Sequence, residues 1–157
     1  RIRTMALYLV QHGRSQPKDV DPDQGLTPEG EAEVKLIADV ARGYGVKVHS
    51  ILHSGKTRAR QTAAIMAEAL SPAGGVREKT GLKPMDDVTA LSGLVDSAED
   101  VMLVGHLPFM QRLAAWLITG SIEPPVFKFQ NGGIVCLEEN RELGGWVITW
   151  SLMPNIG

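Results

Sequence analysis

The sequence predicts an α/β domain in which helices flank a mostly parallel, mixed β-sheet. Three observations support this fold class. Short apolar runs alternate with amphipathic helical segments along most of the chain. The last two apolar runs are separated only by a polar turn, as in an antiparallel hairpin. The length of 157 residues, with 43% hydrophobic and 22% charged residues, is sufficient for one core. We therefore expect a single layered domain over residues 1–157, with residues 1–4 as an expression remnant or an extension.

The first half of the chain carries clear signals for strands and helices. Residues 5–10 form an apolar run, ended by Gly13, that is too short for a helix and is typical of a buried strand. Thr27 and Pro28 have the residue types preferred at a helix N-cap and at the first helical position, and Gly43 marks the end. The predicted elements are a strand over 5–10, a loop over 16–25, a helix over 27–43, a strand over 46–52 and a helix over 56–70.

Beyond residue 70 the predicted elements are shorter but continue the alternation. They are a strand over 76–79, a short helix over 86–94, a buried strand over 100–104, a helix over 107–120 and a terminal hairpin with strands over 133–138 and 146–152. Ligands of such folds bind in the crevice beyond the carboxyl ends of the parallel strands. The residues that follow those strands are therefore the first candidates for a functional site.

The composition argues against several classes of partner. A formal net charge of −2 provides no general attraction for nucleic acid or anionic membrane. No apolar run has the length of a membrane span. The single cysteine, Cys136, excludes an internal disulfide and a multi-cysteine metal site. We therefore expect a cytoplasmic protein that binds neither nucleic acid nor membrane.

Two histidines and one arginine lie where the predicted strands end. His12 and His106 each follow a strand beside a glycine, and Arg58 lies at the opening of a helix. We expect the three side chains to converge at one edge of the sheet. A neutral imidazole can attack phosphorus, while an arginine in the first turn of a helix can bind the phosphoryl oxygens. A second, protonated histidine can stabilise the charge that develops on them.

Each of these residues also has an ordinary structural interpretation. A histidine after a strand is more often a hydrogen-bonded loop residue, and we retain that interpretation for His49 and His53. Arg60 is interpreted as a solvated helix residue, and Ser54 could be a helix cap. The phosphate interpretation is favoured because the glycine-flanked histidines and the segment 54–62 occur together, at the ends of alternating elements.

An ordered set of motifs resembles the histidine phosphatase superfamily, and most closely its small phosphohistidine phosphatase (SixA-type) branch. The resemblance extends over essentially the whole chain. The motifs are Gln11-His-Gly13, Leu26-Thr-Pro-Glu-Gly30, His53-Ser54 with Arg58-Ala59 and Gln61-Thr62-Ala63, Gly105-His106-Leu-Pro108, and the late stretch from Phe129 to Ile134.

The resemblance implies a phosphoglycerate mutase-like fold and a phosphatase activity. It implies that His12 is the nucleophile that becomes phosphorylated, and that Arg58 and His106 bind the phosphoryl group beside it. Gln11 and Gly13, at the remaining positions of the first motif, are expected in the same phosphate-binding site. The family uses no metal and no organic cofactor. The implied substrate is a phosphohistidine of a protein or a small phosphorylated molecule.

The chain departs from the family pattern at its first motif. The family has Arg-His-Gly, whereas this chain has Gln11, which retains an N–H donor but loses the charge and the bidentate fork. Loss of one such transition-state contact costs about 3–4 kcal/mol, or roughly 10²–10³ in rate. One hypothesis is that Arg14 turns into the pocket and partly replaces the missing charge. The alternative is that Arg14 points to solvent or pairs with Asp19 or Asp21.

The proton donor is not assigned by the sequence. Asp86 and Asp87 are the nearest acidic candidates, but such a pair more often caps a helix. Three further functions compete with hydrolysis: a catalytically weakened or inactive phosphate-binding regulatory module of the same fold, a structural α/β subunit with incidental histidines, and a phosphomutase. The last is ranked below hydrolysis because the chain is too short for the insertions that shape a sugar-phosphate pocket.

Overall fold

A six-stranded mixed sheet organises the chain in the computed structural model, which describes residues 5–91 and 99–156. The sheet order is β3-β2-β4-β1-β5-β6. The strands are β1 (Ala6–Gln11), β2 (Ser50–His53), β3 (Val76–Glu78), β4 (Val101–Gly105), β5 (Ile134–Glu139) and β6 (Trp146–Leu152). The helices are α1 (Pro28–Gly43), α2 (Thr57–Leu70) and α3 (Phe109–Thr119), with a 3-10 turn at Val88–Leu91.

The pairing of the strands confirms the predicted fold class. β1 pairs with β4, β4 with β2, and β2 with β3, and all three pairs are parallel. β5 is antiparallel to both β1 and β6, which makes the last two strands the predicted hairpin. The parallel half of the sheet therefore presents the carboxyl ends of β1, β2 and β4 at one edge.

The sheet separates two apolar cores because alternate residues of each strand point to opposite faces. From β1, Leu7 and Leu9 pack with α3 on one face, and Tyr8 and Val10 pack with α1 and α2 on the other. Thr27 caps α1 as predicted, since its hydroxyl accepts a hydrogen bond from the Gly30 N–H at 2.9 Å. None of the helices in the described ranges is long and apolar enough to cross a membrane.

Two predicted elements are shorter in the structure. The strand expected over 46–52 begins only at Ser50, because the N–H of Val46 is used by the carbonyl of Ala41 at the end of α1. The helix expected over 86–94 is reduced to the 3-10 turn at Val88–Leu91, and residues 92–94 lie outside the described residues. Each boundary depends on hydrogen bonds from a neighbouring turn, which the hydrophobic pattern does not encode.

Candidate active site

Two parallel strands bring His12 and His106 together. Gln11 of β1 is in register with Gly105 of β4, and the N–H of His12 donates to the Gly105 carbonyl at 2.9 Å. The ring centroids of His12 and His106 are 5.1 Å apart and their planes are inclined by 54°. Two histidines that are far apart in sequence therefore leave adjacent strands at the same edge of the sheet.

Arg58 reaches the same place from the first turn of α2. Its Nε donates to Nε2 of His12 at 3.3 Å. Thr62, one turn further along α2, links the helix to the loop after β1. Its hydroxyl accepts from the Gly13 N–H at 2.9 Å and donates to the Arg58 carbonyl at 2.8 Å. The structure thus groups the three side chains that the sequence analysis expected to converge, while their roles stay predictions.

The hydrogen bonds of His12 define which of its nitrogens is available for attack. Nδ1 lies 2.7 Å from the Gly13 carbonyl, which can only accept, so Nδ1 carries the proton. Nε2 is therefore unprotonated, and its lone pair accepts the hydrogen bond from Nε of Arg58. Burial lowers the pKa of His12 to about 4, and the charge of Arg58 adds to this effect, against an opposing contribution from the Gly13 hydrogen bond. His12 is consequently neutral at neutral pH, and its Nε2 carries no proton.

The segment before β5 holds the backbone of the first motif in place. Nδ2 of Asn131 donates to the His12 carbonyl at 2.9 Å, and the N–H of Gly132 donates to the Gln11 carbonyl at 2.8 Å. Gly132 has a φ of +79°, a conformation that glycine adopts readily. Asn131 was not among the predicted site residues, although the Asn-Gly-Gly triplet is a recognisable turn signal.

His106 is buried and bonded to Ser54. Nε2 of His106 lies 2.6 Å from the Ser54 hydroxyl, and the side chains of both residues are almost inaccessible. Burial lowers the pKa of His106 to about 3, and repulsion from a protonated His12, from Arg58 and from Lys56 adds to the shift. The N-cap residue of α2 is Lys56, so the interpretation of Ser54 as a helix cap is wrong.

Gln11 and Arg14 occupy different environments. Oε1 of Gln11 is buried without a hydrogen-bond partner in the part of the chain that the structure describes. Arg14 forms a two-pronged ion pair with Glu33, in which Nε–Oε1 is 2.8 Å and Nη2–Oε2 is 2.6 Å. Glu33 thus takes the place of the expected partners, Asp19 or Asp21. No described hydrogen bond joins Arg14 to His12, Arg58 or His106, so its contact with a bound anion stays a prediction.

Asp86 and Asp87, the two candidate proton donors, accept hydrogen bonds within local turns. Asp86 accepts from the Lys83 N–H at 2.9 Å, and Asp87 accepts from both the N–H and the hydroxyl of Thr89 at 2.9 and 2.8 Å. These bonds fit the capping interpretation better than that of a proton donor. Among the described residues, neither carboxylate forms a hydrogen bond with His12 or His106.

No described hydrogen bond joins His49, His53 or Arg60, which were given structural interpretations, to His12, Arg58 or His106. Nε2 of His49 lies 3.0 Å from Oε2 of Glu99. His53 is buried, and its Nδ1 accepts from the Gly55 N–H at 3.1 Å. Arg60 is exposed on α2. Within residues 5–91 and 99–156, no group of three or more histidine, cysteine, aspartate or glutamate side chains could hold a metal ion. The absence of a cofactor stays a prediction.

The chain belongs to the histidine phosphatase superfamily (branch 1), whose family profile matches residues 7–86. The phosphohistidine phosphatase SixA of Escherichia coli K12 is 26% identical over 156 residues, with coverage of 96% of this chain and 94% of the relative. An uncharacterized protein of Picosynechococcus sp. PCC 7002 is 35% identical over an alignment of 125 residues, with coverage of 74% of this chain and 74% of the relative.

Solved structures show the same fold. A protein histidine phosphatase SixA in complex with tungstate superposes with a TM-score of 0.82 at 24% identity, over 96% of this chain and 97% of that chain. A mycobacterial glucosyl-3-phosphoglycerate phosphatase in complex with VO3 gives a TM-score of 0.69 at 16% identity, over 93% of this chain and 98% of that chain. The phosphoglycerate mutase-like fold implied by the motifs is therefore confirmed.

The lowered pKa values of His12 and His106 predict a loss of stability at mildly acidic pH. Their pKa values are about 4 and about 3 in the folded chain, against 6.5 when unperturbed, so the unfolded chain binds more protons below about pH 6.5. We expect the free energy of unfolding, measured by urea titration, to decrease between about pH 7 and about pH 5. The double variant His12→Ala/His106→Asn should show a smaller decrease. An identical decrease in both proteins would mean that other groups cause the effect.

Proposed function

We propose that this protein is a phosphatase that transfers a phosphoryl group from its substrate to Nε2 of His12 and then to water. The observation that carries the proposal is the state of His12. Its Nδ1 proton is held by the Gly13 carbonyl, while its unprotonated Nε2 faces Arg58. A second imidazole, that of His106, lies beside it with a ring centroid distance of 5.1 Å. This arrangement provides a nucleophile and donors around one tetrahedral group.

The reaction has two balanced steps. In the first, the Nε2 lone pair forms a bond to phosphorus and the bond from phosphorus to the leaving atom breaks, with the electron pair departing on that atom. Arg58 donates to the oxygens of the transferring group. In the second, a water oxygen attacks phosphorus, the Nε2–P bond breaks, and its electron pair returns to the imidazole. Inorganic phosphate leaves and the water proton passes to solvent.

A phosphohistidine side chain of a protein is the substrate that the relatives favour. The E. coli protein that matches 96% of this chain is a phosphohistidine phosphatase. His12 and Arg58 are only partly buried, so the reacting atoms lie near the surface, where a protein side chain can reach them. An imidazole leaving group also requires less help from an acid than an alkoxide does, which agrees with the turn contacts of Asp86 and Asp87. A small phosphorylated molecule is the alternative substrate.

Trapping the intermediate tests the proposal. The protein is incubated with ³²P-labelled phosphoramidate, quenched in alkali and hydrolysed, and the label is assigned to an amino acid. We expect labelled phosphohistidine together with release of inorganic phosphate. Asp86→Asn and Asp87→Asn should leave the rate of phosphate release unchanged; a loss in either variant would identify it as the proton donor. Anion binding without label and without turnover would contradict the proposal.

Gln11 favours a second candidate, a phosphate-binding regulatory module with little or no turnover. A neutral glutamine stands where the family has arginine, and Arg14 is engaged with Glu33. The two candidates differ in the labelling experiment, because the binding module retains affinity for the anion but forms no phosphohistidine.

The variant Gln11→Arg tests how much the missing charge matters. We expect it to raise kcat by about 10-fold or more, since a guanidinium adds a charged donor to the transition state. Steady-state phosphate release measures the change. As a control, Gln16→Arg adds the same side chain in the loop after β1, where no described hydrogen bond joins residue 16 to His12, Arg58 or His106, and it should leave kcat unaltered. No gain in Gln11→Arg would show that the pocket does not lack a cation.

A further inference from the structure

The contact between Ser54 and His106 is a buried contact between two polar side chains of the site. Ser54 is 4% exposed and His106 is 1% exposed, and the hydroxyl lies 2.6 Å from Nε2. The other ring nitrogen, Nδ1, is buried and has no partner among the described residues. Buried polar nitrogens are normally satisfied, so an unpartnered one in a binding site is the atom that a ligand would satisfy.

The surroundings of Ser54 indicate the direction of its hydrogen bond. The backbone N–H of Lys56 donates to the Ser54 oxygen at 3.3 Å. The hydroxyl hydrogen therefore remains free, and among the described residues its acceptor is Nε2 of His106. With Nε2 as acceptor, the neutral ring carries its proton on Nδ1. The unpartnered nitrogen is then an N–H donor that a phosphoryl oxygen can use.

We propose that Ser54 is a positioning residue, which holds the Nδ1–H of His106 toward the bound phosphoryl group and turns from hydrogen-bond donor to acceptor when His106 takes up a proton. The role of Ser54 in turnover rests on the proposed phosphatase function. Its role in anion binding does not depend on that function. On binding of a dianion, a solvent proton adds to Nε2, and the rotated hydroxyl accepts the new N–H. A hydroxyl can do this because it both donates and accepts.

The charges around His106 explain why proton uptake is coupled to the anion. The groups that act on it are His12 at the end of β1, and Lys56 and Arg58 at the start of α2. Lys56 and Arg58 are cations, and a protonated His12 would be one too, so they disfavour a charged His106 in the empty site. A bound dianion offsets these charges and favours the protonated ring. His106 can then supply a positive charge that Gln11 does not.

Comparison of Ser54→Ala with Ser50→Ala tests the proposal. Ser50 lies at the opposite end of β2 and is similarly buried, with 6% exposure, so the same atom is deleted away from the site. We expect Ser54→Ala to lower kcat by about 10- to 100-fold, because a hydrogen bond to a charged partner is lost. The alkaline limb of the kcat–pH profile should move to lower pH, since the protonated His106 has lost its acceptor. Ser54→Thr, which keeps the hydroxyl, should return the alkaline limb to its wild-type position.

Calorimetry with tungstate measures the proton directly. Titrations in two buffers of different ionisation enthalpy should show proton uptake on binding in the wild type and in Ser50→Ala, and much less in Ser54→Ala. The inference is overturned if Ser54→Ala takes up protons as the wild type does, or if its kcat falls while the alkaline limb stays in place. Tungstate binding requires no turnover. An inactive wild type would therefore refute the phosphatase and still leave the proton uptake to be measured.

Discussion

The substitution His12→Ala should reduce turnover of any phosphorylated substrate to the background rate. Among the described residues of the site, Nε2 of His12 is the imidazole nitrogen that is unprotonated and accepts a hydrogen bond from Arg58. Loss of a nucleophile that forms a covalent intermediate lowers kcat by factors on the order of 10⁴–10⁶. Phosphate release from phosphoramidate measures the loss, and the label on histidine should disappear with it. Tungstate should still bind through Arg58.

His49→Ala is the matched control for this substitution. It deletes the same ring from a histidine that is bonded to Glu99, outside the group around His12. Its turnover and its labelling should equal those of the wild type. If His12→Ala retains activity, or if the label is lost in His49→Ala instead, the assignment of His12 as nucleophile is wrong.

The second large effect is expected from Arg58→Ala. The guanidinium lies 3.3 Å from Nε2 of His12 and is in position to bind the oxygens of the transferring group. With glutamine at position 11, Arg58 carries more of the charge stabilisation than it would beside an arginine. We expect kcat to fall by about 10²–10³-fold, the usual cost of removing one charge-stabilising donor. Single-turnover kinetics with phosphoramidate separate this effect from changes in binding.

Arg60→Ala provides the comparison on the same helix. Arg60 is exposed two residues further along α2, so its removal deletes an equal charge without touching the site. Arg58→Lys retains the charge but loses the planar fork, and its rate should fall between those of the wild type and Arg58→Ala. Equal losses in Arg58→Ala and Arg60→Ala would indicate a general electrostatic effect and exclude a specific contact.

The fold was predictable because its main signals are local. The apolar run over 5–10 and the Thr27-Pro28 helix start follow from side-chain pattern and capping preferences, and the structure confirms both. The late start of β2 was not predictable, because it depends on the hydrogen bond from Val46 to the carbonyl of Ala41. That bond depends on how α1 ends, and the apolar residues at positions 46 and 48 do not indicate it.

The site was predictable to the extent that strand ends of a parallel sheet coincide. That rule alone brings His12 and His106 to one edge, and the helix start adds Arg58. The finer contacts depend on side-chain directions that sequence spacing does not fix. They include the Ser54 bond to His106, the pairing of Arg14 with Glu33, and the support of the His12 carbonyl by Asn131. All three join residues from different elements.

A crystal structure of the wild-type protein with tungstate would show whether His12, Arg58 and His106 form one oxyanion site. We expect one oxyanion, with Nε2 of His12 in line with the metal centre of the tungstate and with Arg58 and the Nδ1 of His106 donating to its oxygens. The same map would show whether Arg14 stays with Glu33 or turns to the anion. An anion bound elsewhere on the molecule, with these three side chains not in contact with it, would mean that they do not form a phosphate-binding site.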